Sequence, residues 1–375
     1  MIYFGRDNLN TLFENRVIYR NLIPGDPALP NLKELRQQLH IPANTIPRKA
    51  TWDYARVVHT IIQIAQKNRG LPPLERVIMI GDTRMNDGTA MTNIAELAGW
   101  PGIAFIGSDQ DSPAVIHQET VNHCHLFTAN RWKTLKSFDQ ILQAQIFPVD
   151  DRTVVIVDID KTALAARGRN HRTIDAARLE AAKTTAETAL QDAINLHQFE
   201  SDYRQLNQPE FHPLTMDNQD VLVYLCLVLN TGWTEIISLQ EAFQNKQTVG
   251  FDGLLENVEE SKHRLPAGAR GMHERFRDVY LSGDPTPFKA FRYAEYLATS
   301  RRMGSHPDNT PIETLLHEEI LLTAEVFHAA QTWAGNGAMI FGLSDKPDEA
   351  TNPQPDLAAK GMKPIHQIET HLIGE

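Results

Sequence analysis

Cysteine is nearly missing from this chain. Only Cys124 and Cys226 occur among 375 residues, too few and too far apart in sequence for a disulfide framework, which fits a reducing compartment. An excess of basic residues is missing too. Lys and Arg number 36 against 47 Asp and Glu, a formal net charge of -11, which argues against a general nucleic-acid binder because that affinity comes mainly from basic side chains neutralising phosphates. Long apolar runs are absent as well: Val221 to Leu229, bounded by Asp220 and Asn230, is about half the length of a membrane span and reads as a buried helix. The N-terminus reaches Arg6 and Asp7 too soon for a signal-peptide core and lacks the basic segment that precedes one. These absences lead us to expect a cytoplasmic protein with neither a membrane nor a nucleic acid as partner. Oligomeric state leaves no trace in the sequence.

What is present is an apolar content of 42%, enough for a full core in two or three domains. The chain centres on Val154-Val155-Ile156-Val157-Asp158-Ile159-Asp160-Lys161-Thr162, a β-branched run that stops at two carboxylates. Such a run reads as a buried parallel strand, and ligands of open α/β sheets collect at the carboxyl ends of such strands. Two further segments repeat the design. Arg76 to Ile80 runs into Gly81-Asp82-Thr83-Arg84-Met85-Asn86-Asp87, and Gly337 to Leu343 runs into Ser344-Asp345-Lys346. A glycine at the first of these ends lets the backbone bend close to a ligand, with Asp82 and Asp87 facing one crevice.

Helical spacing of Tyr54, Val57, Val58, Ile61, Ile62 and Ala65 predicts a helix over Ala50 to Gln66. Thr89 to Ala98 and Trp132 to Ala144 read as helices, Ile2 to Phe4, Gly102 to Ile106, His125 to Thr128 and Ile368 to Ile373 as strands. Alternation of this kind predicts an α/β fold with a doubly wound parallel sheet. From Ile174 to Trp333 the pattern is helical, so we expect a first core segment over residues 1–162, a large all-α cap insert over 163–336 and the remaining core over 337–375. Residues 1–48 are proline-rich with one short helix near Leu32 and carry no chemical signal. A basic run from Lys262 to Arg277 reads as a solvated helix face or, less plainly, a recruiting patch for an anionic substrate.

Together the three strand ends, Asp158-Ile159-Asp160-Lys161-Thr162, Ser344 and Gly81 to Asp87, resemble the first, second and fourth motifs of the haloacid dehalogenase (HAD) superfamily. The order differs: in that family the Gly-Asp motif comes last, whereas here it precedes Asp-x-Asp, and a circular permutation would account for this. Three lysines can then supply the family's third motif. Lys49 stands just before the helix that leads into the Gly-Asp strand, as the family's lysine does; Lys363, followed by Pro364, and Lys346 are its rivals.

The resemblance implies a Mg²⁺-dependent phosphatase of a small phosphorylated metabolite. Asp158 would be the nucleophile that forms an aspartyl-phosphate, Asp160 the general acid and base, and Ser344 and Lys49 the groups that bind the phosphoryl oxygens. Mg²⁺ would be held by Asp158, the backbone carbonyl of Asp160 and Asp82, with Asp87 as a further ligand or an orienter. A phosphomutase shares all these residues. From a different class, the chain could be an inactive HAD-like scaffold that binds a ligand or partner, against which the intact Asp158, Asp160 and Asp82 argue. Aspartates after strands also serve as turn and cap residues, and Asp87 can cap the Thr89 helix while serving the site.

Overall fold

A computed structural model describes residues 1–239 and 250–375. Residues 240–249, part of the span expected to be helical, lie outside the described residues. In chain order the strands are β1 (Ile2–Asp7), β2 (Val17–Ile18), β3 (Arg76–Gly81), β4 (Gly102–Gly107), β5 (Ile116–Val121), β6 (Cys124–Ala129), β7 (Thr153–Asp158), β8 (Leu322–Thr323), β9 (Met339–Leu343) and β10 (Thr370–Gly374). Seven of them form one sheet in the order β2-β9-β7-β3-β4-β6-β5. Every neighbouring pair is parallel except β5 with β6. In a second, smaller sheet β10 lies between β1, to which it is antiparallel, and β8.

The focal run occupies the sheet's interior because its residues are apolar on both faces. All six residues of β7 are buried. Val154 and Ile156 pack into a core shared with Val57, Val58, Ile61 and Ile62 of the helix Trp52–Asn68 and with Met91, Ile94 and Ala95 of the helix Thr89–Ala98. Aromatic side chains cover part of the other face, where Phe105 of β4 meets Phe138 edge-on at 5.3 Å and Phe138 meets Trp333 at 6.3 Å. A parallel sheet needs cover on both sides, and here it has it.

The strands expected from sequence are all present, and three more appear. β2 and β8 span two residues each, too short for any periodicity, while β5 is a polar edge strand, His117-Gln118-Glu119-Thr120, that pairs on one side only. The expected helix Trp132 to Ala144 opens as a 3₁₀ turn over Trp132–Ser137 before Phe138–Ala144. The helical pattern that starts at Ile174, expected to run on as one long helix to His197, breaks after a first helix, Arg172–Leu190.

The chain divides into two compact units, Met1–Asp175 with Thr299–Glu375, and Ala176–Ala298. The second contains no strand among its described residues. Residues 163–175 and 299–336, which the sequence groups with the helical insert, belong to the sheet unit and include β8 and the helix Ala324–Gly335. Helical periodicity reads alike in a cap and in a helix laid on a sheet, so the pattern could not place these boundaries.

Within the helical unit the apolar run forms the buried helix Gln219–Asn230. At its start the buried Asp220 accepts from Arg292 through Nε at 2.9 Å and Nη2 at 2.6 Å, and from the backbone N–H of Phe288 at 3.1 Å. Arg292 also donates to Glu295 at 2.6 Å, and Glu295 accepts from Arg178 at 3.3 Å. Within the basic run Lys262 pairs with Glu259 and Glu274, and Arg277 lies 3.9 Å from Glu259.

Candidate functional site

Asp158, Asp82 and Ser344 stand at the carboxyl ends of β7, β3 and β9, and β7 lies between the other two. The register is tight. Val157 lies beside Ile80 on one side and Gly342 on the other, and Asp158 lies beside Leu343, one residue short of Ser344. Residues separated by hundreds of positions thus meet on one edge of the sheet.

Lys49 enters this edge from the loop before the helix Trp52–Asn68, whose N-cap is Thr51. It is 2% exposed, and its Nζ lies 2.6 Å from Oδ1 of Asp158 and 2.6 Å from Oδ1 of Asp87. Of the three candidate lysines it is the one that reaches Asp158. Lys346 lies 3.6 Å from Asp160, and Lys363 is exposed.

Asp87 comes from a π-helical turn, Arg84–Gly88, after β3. Its Oδ2 accepts from the backbone N–H groups of Asp82 at 3.0 Å and Thr83 at 2.9 Å and from the Thr83 hydroxyl at 3.0 Å. Gly81 makes this possible, since a Cβ there would lie 2.4 Å from the Asp87 Cβ. The carboxylate folds back beneath the strand end, which explains why the strand closes in Gly-Asp.

Beyond β7 the chain makes a tight turn. Lys161 adopts φ 65°, a left-handed conformation that costs a non-glycine residue roughly 1–2 kcal/mol. The carbonyl of Asp158 accepts from Ala163 N–H at 3.2 Å, and that of Thr162 accepts from the Thr323 hydroxyl at 2.6 Å. Asp160 is half-buried and faces Lys346. Ser344 is buried, donates its N–H to Ile18 at 3.0 Å and accepts at Oγ from Lys346 N–H at 3.1 Å. The N-terminal stretch that carries no signal in sequence therefore supplies the strand, β2, that fixes this loop.

Asp82, Asp87 and Asp158 bring carboxylate oxygens to within 4.8 Å of one another, a cluster able to hold a metal ion. Its charges do not balance. Burial pushes Asp158 well above the usual carboxylate range, and Asp87 and Asp82 add to this against the pull of Lys49. Burial and Asp87 likewise push Asp82 up to about 6, although Arg167 opposes them. Asp87 is held below its ordinary value: burial would raise it, but Lys49 and the Thr83 donors prevail. Burial opposes the charge on Lys49 as well, yet Asp158, Asp87 and Asp345 hold its pKa well above the usual lysine value. Three crowded carboxylates meeting one buried ammonium form a site of excess negative charge with hard oxygen donors, the chemistry a divalent cation requires. Asp160 contributes no carboxylate oxygen to this cluster.

No family model, curated protein or solved structure matches this chain.

Three residues join the site that the sequence did not single out. Arg167 donates from Nε to Oδ2 of Asp82 at 2.5 Å. Asp345 acts electrostatically on Lys49, and the buried Tyr54 hydroxyl, next to the same charges, has no hydrogen-bond partner among the described residues. Asp345 and Tyr54 are neighbours in sequence of residues already noted, Ser344 and the Lys49 helix. Arg167 alone is not adjacent in sequence to a residue already noted.

Proposed function

We propose that this chain is a divalent-cation-dependent phosphatase acting on a small phosphorylated molecule, with a HAD-like core whose motif order is circularly permuted. One observation carries the reading: Lys49 is buried between Asp158 and Asp87 at 2.6 Å from each, at the ends of adjacent parallel strands. Burying such a group for stability alone is a poor bargain, because the desolvation cost of ions rivals their attraction. A site that handles phosphate, by contrast, needs a nucleophilic carboxylate, an ammonium and a cation together. Pairing of β1 with β10, the first and last strands, is compatible with a rearranged motif order.

In this reading Asp158 presents Oδ2, which accepts no hydrogen bond among the described residues, while Lys49 fixes Oδ1. Oδ2 attacks the phosphorus, the ester P–O bond breaks, and Asp160 gives its proton to the leaving oxygen. Water then attacks the aspartyl-phosphate, its proton passes to Asp160, and the P–Oδ2 bond breaks to release inorganic phosphate. Lys49 and Ser344 hold and neutralise phosphoryl oxygens. Asp158, Asp82 and Asp87 would hold Mg²⁺, which supplies charge neutralisation of the phosphoryl group.

Hydrolysis of a chromogenic phosphate ester tests this. Turnover should require added Mg²⁺ and should vanish in Asp158→Asn. Activity that persists in a chelator, or a variant as active as the parent, would sink the proposal.

A further inference from the structure

Asp82 is the member of the acidic trio that Lys49 does not touch. Its cationic neighbour is Arg167, bound through Nε to Oδ2. The Arg167 side chain is 41% exposed, and its two terminal amino groups, Nη1 and Nη2, have no partner among the described residues. Its backbone, in contrast, is fastened at both ends. The N–H donates to Lys161 at 2.7 Å, and the carbonyl accepts from Asp109 N–H at 2.9 Å and from Trp132 Nε1 at 3.0 Å. The next residue, Gly168, adopts φ 81°, and a Cβ there would lie 1.9 Å from the Asp109 carbonyl oxygen. The turn is therefore built around one backbone path, with a charged head at the solvent side.

We propose that Arg167 recognises the phosphoryl group of the substrate, anchored by Nε on Asp82 and offering Nη1 and Nη2 to two phosphoryl oxygens. The inference rests on the phosphatase reading. A phosphate approaching three carboxylates must meet positive charge that water can reach. Lys49 is fully buried between two carboxylates, so it can meet a phosphoryl oxygen only after the group has reached Asp158, and Lys346 faces Asp160. Arg167 is exposed and keeps two parallel donors, whose planar fork matches phosphate oxygens bidentately, as a lysine's point charge cannot. The competing account is that Arg167 merely braces Asp82 for a metal, since carboxylate ligands are commonly oriented by outer hydrogen bonds.

Calorimetric titration of the full chain with Mg²⁺ alone, then with inorganic phosphate in the presence of Mg²⁺, separates the two. Arg167→Met should weaken phosphate binding by about tenfold or more, the usual worth of a charge-assisted hydrogen bond, while Mg²⁺ affinity changes little. Arg167→Lys should recover only part of the phosphate affinity, and KM for a chromogenic ester should rise in step with the loss. Unchanged phosphate affinity in both variants overturns the inference, as does a loss of Mg²⁺ affinity as large as the loss of phosphate affinity. If the parent protein binds neither Mg²⁺ nor phosphate, the phosphatase reading itself falls, and this inference with it.

Discussion

Among the charged side chains buried in this molecule, two groups, one in each unit, are built to opposite plans. In the helical unit Asp220 and Glu295 meet Arg292 and Arg178, with guanidinium donors turned onto carboxylate oxygens and a backbone N–H completing Asp220. Two carboxylates here meet two guanidinium groups. At the sheet edge Asp82, Asp87 and Asp158 outnumber the two cations that touch them, the buried Lys49 and the half-exposed Arg167. The first group sets each carboxylate against a guanidinium and pins helices together. The second carries carboxylates in excess, a cluster that could hold a metal ion. The balance of a buried ionic group, more than its presence, separates scaffold from site.

The largest effect should come from removing the central cation of each group. Lys49→Met and Arg292→Met each strand buried carboxylates and should cost about 3–5 kcal/mol of stability in chelator, measured by denaturant unfolding. Saturating Mg²⁺ should recover part of the loss for Lys49→Met and none for Arg292→Met. Recovery of both, or of neither, would erase the distinction.

A somewhat smaller effect is expected from the cation itself. At a hundredfold excess over its dissociation constant a divalent ion should stabilise the parent protein by about 2.7 kcal/mol, seen as a rise in Tm. Asp158→Asn should lose most of that gain. If the parent's Tm does not respond to any divalent ion, the excess charge has another explanation.

Asp82 gives the smallest and most specific test. Its carboxyl is raised from an ordinary 3.8 to about 6, so the folded state holds its proton more tightly than the unfolded chain. Ionisation therefore costs stability, a cost fully present above pH 6 and gone below about pH 4. Asp82→Asn should stabilise the chelated protein by about 1–3 kcal/mol at pH 7, a gain that fades as pH falls through 6. A gain independent of pH would place the effect elsewhere.

Much of the sheet edge was legible because each contributor ends an apolar strand or precedes a periodic helix. Asp158, Asp82 and Ser344 are where apolar runs stop, and Lys49 stands before an unmistakable helix. Arg167 was not legible. Its approach to Asp82 depends on the left-handed turn at Lys161 and on the fit of Gly168 against Asp109, contacts made by the folded loop and not by any local pattern. A basic residue shortly after an Asp-x-Asp strand was the sole clue. The sheet's edge strands escaped for a related reason, since β2 is two residues long and is defined by pairing with β9.

The separation between Lys49 and Asp158 is 109 positions, and β1 pairs with β10 across nearly the whole chain. Contacts so distant in sequence form late, after much loop-closure entropy has been lost. Until β3 and β7 are side by side, Lys49 and the three aspartates have no reason to leave water. Assembly of the site is thus tied to completion of the sheet, and the loss of water from these charges marks the end of folding, not its beginning.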